Sequence, residues 1–268
     1  MEPTAAPVKS PPMKLRLVTI LLLASLAGCA HSYRRSYSSP LVSVYTPSGD
    51  RDARWEVEPF ASWIDDAVVQ MAGDFDVPLQ LVIPVRVYHQ SDPSTGRSYY
   101  NRFTGSIVLR GTFDPGVFAH ELSHLLVHHV DASAPYWSDQ ALAEYMETRY
   151  YPFRPAAGSD PVAARQEDRR EKLRRLIHRI ADAREPQEVL DHLTPRAIDE
   201  ERGWGVVVVR YLFEERWKKE ELREKVRRLL ALGAEETARV APEIVAYCRR
   251  PTLLTSSGLS DSGPPPAR

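Results

Sequence analysis

The sequence predicts an α+β fold, in which a small N-terminal mixed sheet and one apolar helix precede a mostly helical C-terminal lobe. Segments 79–89 and 105–111 are rich in β-branched residues, which indicates strands. The segments after residue 115 show helical periodicity instead. The order is one helix, a few strands and then only helices, so we expect the two kinds of element to segregate, with a site near their junction.

Composition limits the classes of function. The 268 residues are 43% hydrophobic and 26% charged, which is ordinary for a globular protein. The net charge is −1, so no excess of positive charge favours nucleic acid. We therefore expect no nucleic-acid partner.

Residues 1–29 have the pattern of a secretory signal peptide. Basic residues Lys14 and Arg16 precede an apolar run, Leu17–Ala27, that is too short to span a bilayer comfortably. The sequence L-A-G-C that ends at Cys29 resembles a bacterial lipobox. The resemblance implies a mature chain that begins at Cys29 and is anchored to a membrane by lipid there. A plain secretory signal with an incidental cysteine is the alternative.

The residues next to Cys29 refine the expected location. Ala30 and His31 follow it, and an aspartate, which would favour the inner membrane, is missing. We therefore expect a protein of the bacterial cell envelope at the periplasmic face of the outer membrane. Cys248 is the only other cysteine and is expected to be a small buried apolar residue.

The rest of the chain divides by composition. Residues 30–54 are polar and are expected to form a tether from the lipid, and residues 253–268 a disordered tail. Residues 55–252 are expected to form one domain. Its two parts are the sheet with one apolar helix, residues 55–152, and the helical lobe, residues 160–250.

The N-terminal part of the domain begins with a helix predicted over 59–75, where apolar residues recur at helical spacing. A strand follows over 79–89, and Pro84 within it indicates an edge strand or a bulge. The next strand, 105–111, is expected to be edge-like. It ends shortly before the apolar helix, as expected for a backbone that pairs with an extended peptide.

The apolar helix is predicted over 115–129. Asp114 followed by Pro115 is a strong start signal, because the carboxylate caps the first backbone N–H groups and proline suits the first turn. A second helix is predicted over 138–150. The later helices are predicted over 162–183, 204–217, 219–232 and 235–248.

The apolar helix carries an H-E-x-x-H motif, His120-Glu121-Leu122-Ser123-His124. The two histidines lie four residues apart, so their rings project from one face and can bind one zinc ion. Glu121 lies about 100° round the helix, where it can act as general base toward a zinc-bound water. An incidental histidine pair is the alternative, although buried histidines in so apolar a helix need partners.

The sequence around this motif resembles the gluzincin metallopeptidases, and within them the bacterial peptidase-MA-like group, related in site design to thermolysin and aminopeptidase N. The similarity covers roughly residues 57–248 and is carried by GSIVLRGTFDPGVFAHELSHLLVHH, PYWSDQALAEYMETRY and GVVVVRYLFEERW. It implies a zincin-like domain, one zinc ion and a peptide or protein substrate. In that family the second helix typically opens W-L-N-E-G-L-A-E-Y, and its first glutamate is the third zinc ligand. Here the segment reads W-S-D-Q-A-L-A-E-Y, so Gln140 stands at the ligand position.

Gln140 is a departure from the family pattern. A glutamine offers a neutral carbonyl oxygen and removes one negative charge beside the ion, so zinc affinity should fall. Glu144, one turn later on nearly the same face, is the alternative third ligand. Its carboxylate is equally compatible with a supporting position behind the ligands or with a position in solvent.

A second departure is the missing tyrosine that commonly precedes the third motif in that group, where this chain reads DEERGWG. Arg202, Tyr150, Tyr151 and Tyr211 are the candidates for stabilising an oxyanion. Tyr211 fits the core better, because it lies at helical spacing within an apolar run. His128 cannot join the same ion, because successive helical turns advance by about 5.4 Å.

Two functions are compatible with these residues. The first is a membrane-anchored zinc metallopeptidase that hydrolyses peptide bonds. The second is a catalytically impaired or inactive lipoprotein of the same fold that binds a peptide or protein partner. Glu121 favours the first, because pure binding does not need a general base. Gln140 and the missing tyrosine favour the second.

Overall fold

The computed structural model describes most of the predicted domain. Its residues are 33–49, 57–91, 96–150, 161–194, 203–250 and 253, without the side chains of residues 161–166. The signal peptide with Cys29, the tail after residue 253, Tyr151 and Arg202 lie outside the described residues.

Five short strands form one mixed sheet. They are β1 (Tyr33–Ser38), β2 (Val42–Pro47), β3 (Val85–Gln90), β4 (Tyr99–Asn101) and β5 (Ser106–Arg110). The spatial order is β1-β2-β3-β5-β4; β2, β3 and β5 are parallel, and each edge strand is antiparallel to its neighbour. In β3, Val85, Val87 and His89 are buried and Arg86 is exposed, the alternation of a strand with one face in the core.

Helices make up most of the remaining structure. They are α1 (Ala61–Asp74), α2 (Leu79–Val82), α3 (Pro115–Val130), α4 (Tyr136–Tyr150), α5 (Pro161–Asp182), α6 (Pro186–Asp191), α7 (Trp204–Arg210, continued as a π-helix over Tyr211–Arg216), α8 (Leu222–Leu230) and α9 (Ala234–Cys248). The predicted α+β order is confirmed. Within the described ranges, no helix is both long and apolar enough to cross a membrane.

The expectation of a tether over residues 30–54 is wrong for residues 33–47, which form β1 and β2. Val42 and Val44 of β2 are completely buried in the core. The misleading signal is polarity: β1 is an edge strand whose side chains are exposed or half-buried, so its composition is that of a linker.

The strands near the site also differ from the prediction. The segment 79–89 contains the single helical turn α2, and β3 starts only at Val85, after Pro84. Because Pro84 lies outside the strand, it does not interrupt pairing, and β3 is central rather than an edge. Residues 105–111 contain β5, which is not an edge either, because the three-residue strand β4 covers it.

Helix α3 begins where the sequence predicts. The Asp114 side chain accepts hydrogen bonds from the backbone N–H groups of Gly116 at 2.9 Å and Val117 at 3.4 Å. Pro115 is the first helical residue. A side-chain cap of this kind stabilises a helix by about 1 kcal/mol. It also defines where the helix starts, and so the direction in which the motif's side chains point.

Helices α3 and α4 pack side by side in the middle of the molecule. Helix α3 also contacts α1, β4 and β5, and its apolar side chains are buried nearly all round. On its other side α4 packs against α7. A Cβ atom built on Gly205 of α7 would overlap the side chain of Ala141 and lie 3.1 Å from its Cα. The close approach of these two backbones fixes the position of α4 relative to α7.

The C-terminal lobe continues the same hydrophobic core. Trp204, Phe213 and Trp217 are almost completely buried in it. Cys248 is buried and free, as the sequence predicts, and burial raises the pKa of its thiol to about 12.

Candidate metal centre

His120 and His124 face each other across one turn of α3. Their Nε2 atoms are 3.3 Å apart, and the ring planes meet at 78°. His120 is buried, and the side chain of His124 is only 15% exposed. The four-residue spacing therefore brings both rings to one gap, as predicted from the sequence.

A carboxylate of α4 holds each ring from behind. His124 Nδ1 lies 2.7 Å from Asp139 Oδ1, and His120 Nδ1 lies 3.3 Å from Glu147 Oε2. An ionised carboxylate can only accept hydrogen bonds, so in each pair the Nδ1–H donates. In the neutral rings the proton is therefore on Nδ1, and the lone pairs of both Nε2 atoms are directed at the same gap.

This arrangement fits a divalent metal ion. Two donors bound to zinc at 2.0–2.1 Å in tetrahedral geometry are separated by about 3.3 Å, which the two Nε2 atoms match. Metal-binding histidines also typically donate the other ring N–H to a carboxylate or a carbonyl. Without a cation or a hydrogen-bond donor in the gap, the two lone pairs would repel each other.

Gln140 supplies the third group at the gap. Its Nε2 lies 3.3 Å from His120 Nε2 and 3.3 Å from Glu144 Oε1. Rotation of the amide by half a turn would exchange Nε2 for Oε1, the atom that can bind a cation. The described residues contain no group of three His, Cys, Asp or Glu side chains placed to hold one ion. In this arrangement the side chain of α4 that contacts His120 Nε2 is the Gln140 amide, and Glu144 contacts that amide.

The charges around His120 favour a cation at this position. Burial by itself lowers the pKa of His120, but the hydrogen bond with Glu147 and the charges of Glu121, Glu147 and Glu144 hold that pKa above its usual value. The field that stabilises a proton on the ring also attracts a metal ion. The neighbouring carboxylates therefore offset part of the charge that Gln140 lacks.

Glu121 is a buried carboxylate next to the histidine pair. It is buried beside His120, with 6% of its surface exposed. Among the described residues, no side chain or backbone N–H donates a hydrogen bond to its carboxylate. Its oxygens can therefore accept a hydrogen bond from a water or a substrate group.

An arginine from a different part of the fold contacts each supporting carboxylate. Arg102, in the turn between β4 and β5, lies 3.6 Å from Asp139 Oδ2. Arg169 of α5 contacts Glu147 and lies 3.9 Å from Asp114 Oδ2, at the start of α3. The sheet hairpin therefore holds one carboxylate, and the C-terminal lobe holds the other.

The two supporting carboxylates are the site residues that sequence reasoning misses. Gln140, Glu144 and Glu147 recur at intervals of four and three residues, so they share one face of α4. Polar residues at that spacing in a mostly buried helix predict that Glu147 belongs to the same site as Gln140 and Glu144. Asp139 has no comparable signal, because its contact with His124 depends on how α4 packs against α3.

The described candidates for oxyanion stabilisation do not reach the histidine pair. The Tyr150 hydroxyl donates to Asp74, and the Tyr211 hydroxyl donates to Glu243. Tyr211 is buried, as its predicted place in the core requires. His128, near the end of α3, packs against a tyrosine ring of β4 and not against the gap.

Comparison with known proteins adds no relative. No protein-family model matches the chain, and no match was found among curated proteins or solved structures. A function for this chain therefore rests on the residues of the site and their geometry.

Proposed function

We propose that this protein is a zinc-dependent metallopeptidase of zincin-like fold, similar to the gluzincins and held at the bacterial cell envelope by a lipid on Cys29. His120, His124 and Gln140 hold one zinc ion, and Glu121 is the general base. The main support is the pair of Nε2 lone pairs, 3.3 Å apart, each directed by a carboxylate on the far side of its ring.

Each group has a separate task in peptide hydrolysis. Zinc, when bound, polarises the peptide carbonyl and lowers the pKa of water. Glu121 takes a proton from the attacking water and delivers it to the leaving amine. Asp139 and Glu147 keep the protons on Nδ1, so that both Nε2 lone pairs remain directed at the ion.

The position of β4 supports a peptide as substrate. This strand is an edge of the sheet and packs against α3, the helix that carries the histidines. The outer N–H and C=O groups of an edge strand can pair with an extended peptide. Arg102, directly after β4, contacts the carboxylate that holds His124, so Asp139 links the end of this strand to the candidate metal centre.

Zinc content and peptide cleavage, measured on the full chain, test the proposal. We expect one zinc ion per parent chain, no zinc in His120→Ala, and zinc without cleavage in Glu121→Gln. His129→Ala is the matched control, because His129 is an exposed histidine of the same helix. A Glu121→Gln protein that cleaves a peptide library as fast as the parent would exclude this mechanism.

The identity of the third ligand needs its own comparison. Gln140→Ala should weaken zinc binding more than Glu144→Ala does, because Gln140 directly contacts His120 and Glu144 contacts Gln140. The opposite order would assign the third ligand to Glu144, after a small shift of α4.

The anchor is tested separately from the chemistry. A fatty-acid probe supplied to the producing bacteria should label the parent chain and leave Cys29→Ser unlabelled. Labelling that survives this substitution would exclude lipid attachment at Cys29.

One observation favours a second function, the binding of a peptide or protein partner without cleavage. Gln140 presents Nε2 to His120, so an amide hydrogen can satisfy the imidazole lone pair without a metal. Failure to retain zinc at micromolar free zinc, together with peptide binding that persists in a chelator, would support this function.

A further inference from the structure

Phe103 is a fully exposed aromatic residue in the turn between β4 and β5. Its relative exposure is 101%, the largest among the exposed apolar side chains of the described residues. An aromatic ring left wholly in water lacks the stabilisation that burial would bring, so the ring is available to bind a partner.

The turn that carries Phe103 is well ordered. Asn101 Oδ1 accepts hydrogen bonds from the backbone N–H groups of Phe103 at 3.0 Å and Thr104 at 3.3 Å. The Gly105 N–H donates to the Asn101 carbonyl at 2.9 Å, and the φ of Gly105 is 61°, which favours glycine. Arg86 donates to the Thr104 carbonyl at 2.7 Å. The ring is therefore presented on a preformed support, and little further ordering is needed when it binds a partner.

This turn is joined to the candidate metal centre. Arg102 lies 3.6 Å from Asp139 Oδ2, and Asp139 holds His124 through a 2.7 Å hydrogen bond. Phe103 is the next residue along the chain, just beyond the end of the edge strand β4.

The sheet topology separates the turn from the end of the chain that is expected to carry lipid. Tyr33, four residues after Cys29, starts β1 at the opposite edge of the sheet. Tyr33 pairs with Pro47, the last residue of β2, and the turn lies just before the first residue of β5. Because β2 and β5 run parallel, Tyr33 and the turn are also at opposite ends of the strands. Across the sheet, Tyr33 and the turn are separated by four strand spacings of about 4.8 Å; along the strands, they are separated by about five residues of about 3.3 Å each. These two perpendicular distances combine to roughly 25 Å. This separation favours a substrate over the membrane as the partner of Phe103.

We infer that Phe103 selects the substrate: it contacts a large apolar side chain of an extended peptide that lies along β4. The inference rests on the proposed function, in which a peptide pairs with β4, and adds a class of substrate to it. A phenyl ring offers apolar and aromatic contact without charge, so it favours phenylalanine, leucine or methionine over alanine, glycine or an acidic residue.

Paired fluorogenic peptides test the selection. Each pair has phenylalanine or alanine at one position, and every position flanking the cleaved bond is scanned. For each pair we compare kcat/KM for the phenylalanine peptide with kcat/KM for the alanine peptide. At one peptide position, this ratio should be at least about tenfold lower for Phe103→Ser than for the parent protein. Leu81→Ser, at an exposed apolar residue of α2, is the matched control and should keep the parent ratio. A ratio unchanged by Phe103→Ser at every position would overturn the inference.

Binding measurements distinguish this inference from the peptidase proposal. If the parent cleaves nothing, fluorescence anisotropy of the Glu121→Gln chain still reports whether phenylalanine peptides bind more tightly than alanine peptides. A preference that Phe103→Ser removes would support the inference while the peptidase proposal fails. No Phe103-dependent preference in either assay would overturn it. Co-sedimentation with phosphatidylglycerol vesicles that depends on Phe103, with peptide preference unchanged, would assign the ring to lipid and also overturn it.

Discussion

Replacement of Gln140 by glutamate isolates the effect of one charge at the candidate metal centre. The two side chains have almost the same size, and Gln140 Nε2 already lies 3.3 Å from His120 Nε2. Gln140→Glu therefore places a carboxylate oxygen where the amide now is. We expect tighter zinc binding together with a less stable metal-free protein.

The magnitude follows from the charges near Gln140. Two unit charges 4 Å apart interact by about 4 kcal/mol at an effective dielectric constant of about 20, so the attraction to a divalent ion is about 8 kcal/mol. In the metal-free variant the new carboxylate takes up a proton or turns outward to relieve its repulsion with Glu144. When zinc binds, the carboxylate must lose that proton or turn back inward, which costs about 5 kcal/mol of the attraction to the ion. The net gain in binding free energy of about 3 kcal/mol corresponds to a Kd about 100-fold lower.

The metal-free protein should respond in the opposite direction. Gln140→Glu loses the hydrogen bond to Glu144 and brings two carboxylates together at about the present 3.3 Å contact. We expect the free energy of unfolding to fall by about 1–3 kcal/mol in a chelator. With zinc in excess, Tm should return to the parent value or exceed it, because about 100-fold tighter binding adds about 2.7 kcal/mol to the stability of the folded state.

Competition with a fluorescent zinc chelator measures Kd, and thermal unfolding with and without zinc measures both stability effects. Gln140→Leu is the matched control, because it has a similar size and no donor oxygen; it should bind zinc more weakly than the parent. A Kd for Gln140→Glu within about twofold of the parent value would refute the place of Gln140 at the ion.

Three further predictions concern the supports of the site. Asp139→Asn should weaken zinc binding about 10–100-fold, because the amide no longer holds His124 in the required tautomer; the same chelator competition measures this, and parental affinity would contradict it. Gly205→Ala should lower the free energy of unfolding by about 1–3 kcal/mol, because the added methyl group overlaps Ala141. An unchanged urea midpoint would mean that these two helices do not meet there. Cys248 should resist iodoacetamide at pH 8 in the native protein and react fully in urea, because burial raises its thiol pKa to about 12. Peptide mapping by mass spectrometry distinguishes the two states, and rapid native alkylation would contradict the burial.

The local parts of the site could be predicted from the sequence. Asp114 and Pro115 predict the start of α3. The four-residue spacing of His120 and His124 predicts that both rings lie on one face, because helix geometry depends only on neighbouring residues. The α+β order could be predicted for a similar reason, since strands and helices have different hydrophobic periodicities. The strands β1 and β2 could not, because polar sequences serve equally well as a linker or as a sheet edge.

Only the tertiary structure decides which groups of α4 meet the histidines. Sequence spacing leaves Gln140 and Glu144 as equal candidates, because both lie on one face of the helix one turn apart. The choice depends on the translation and rotation of α4 relative to α3, which are set by contacts far away in the sequence, such as Gly205 against Ala141. The same packing brings Asp139 behind His124. A helix can thus be predicted from its own residues, but the contacts between two helices are determined by everything packed against both.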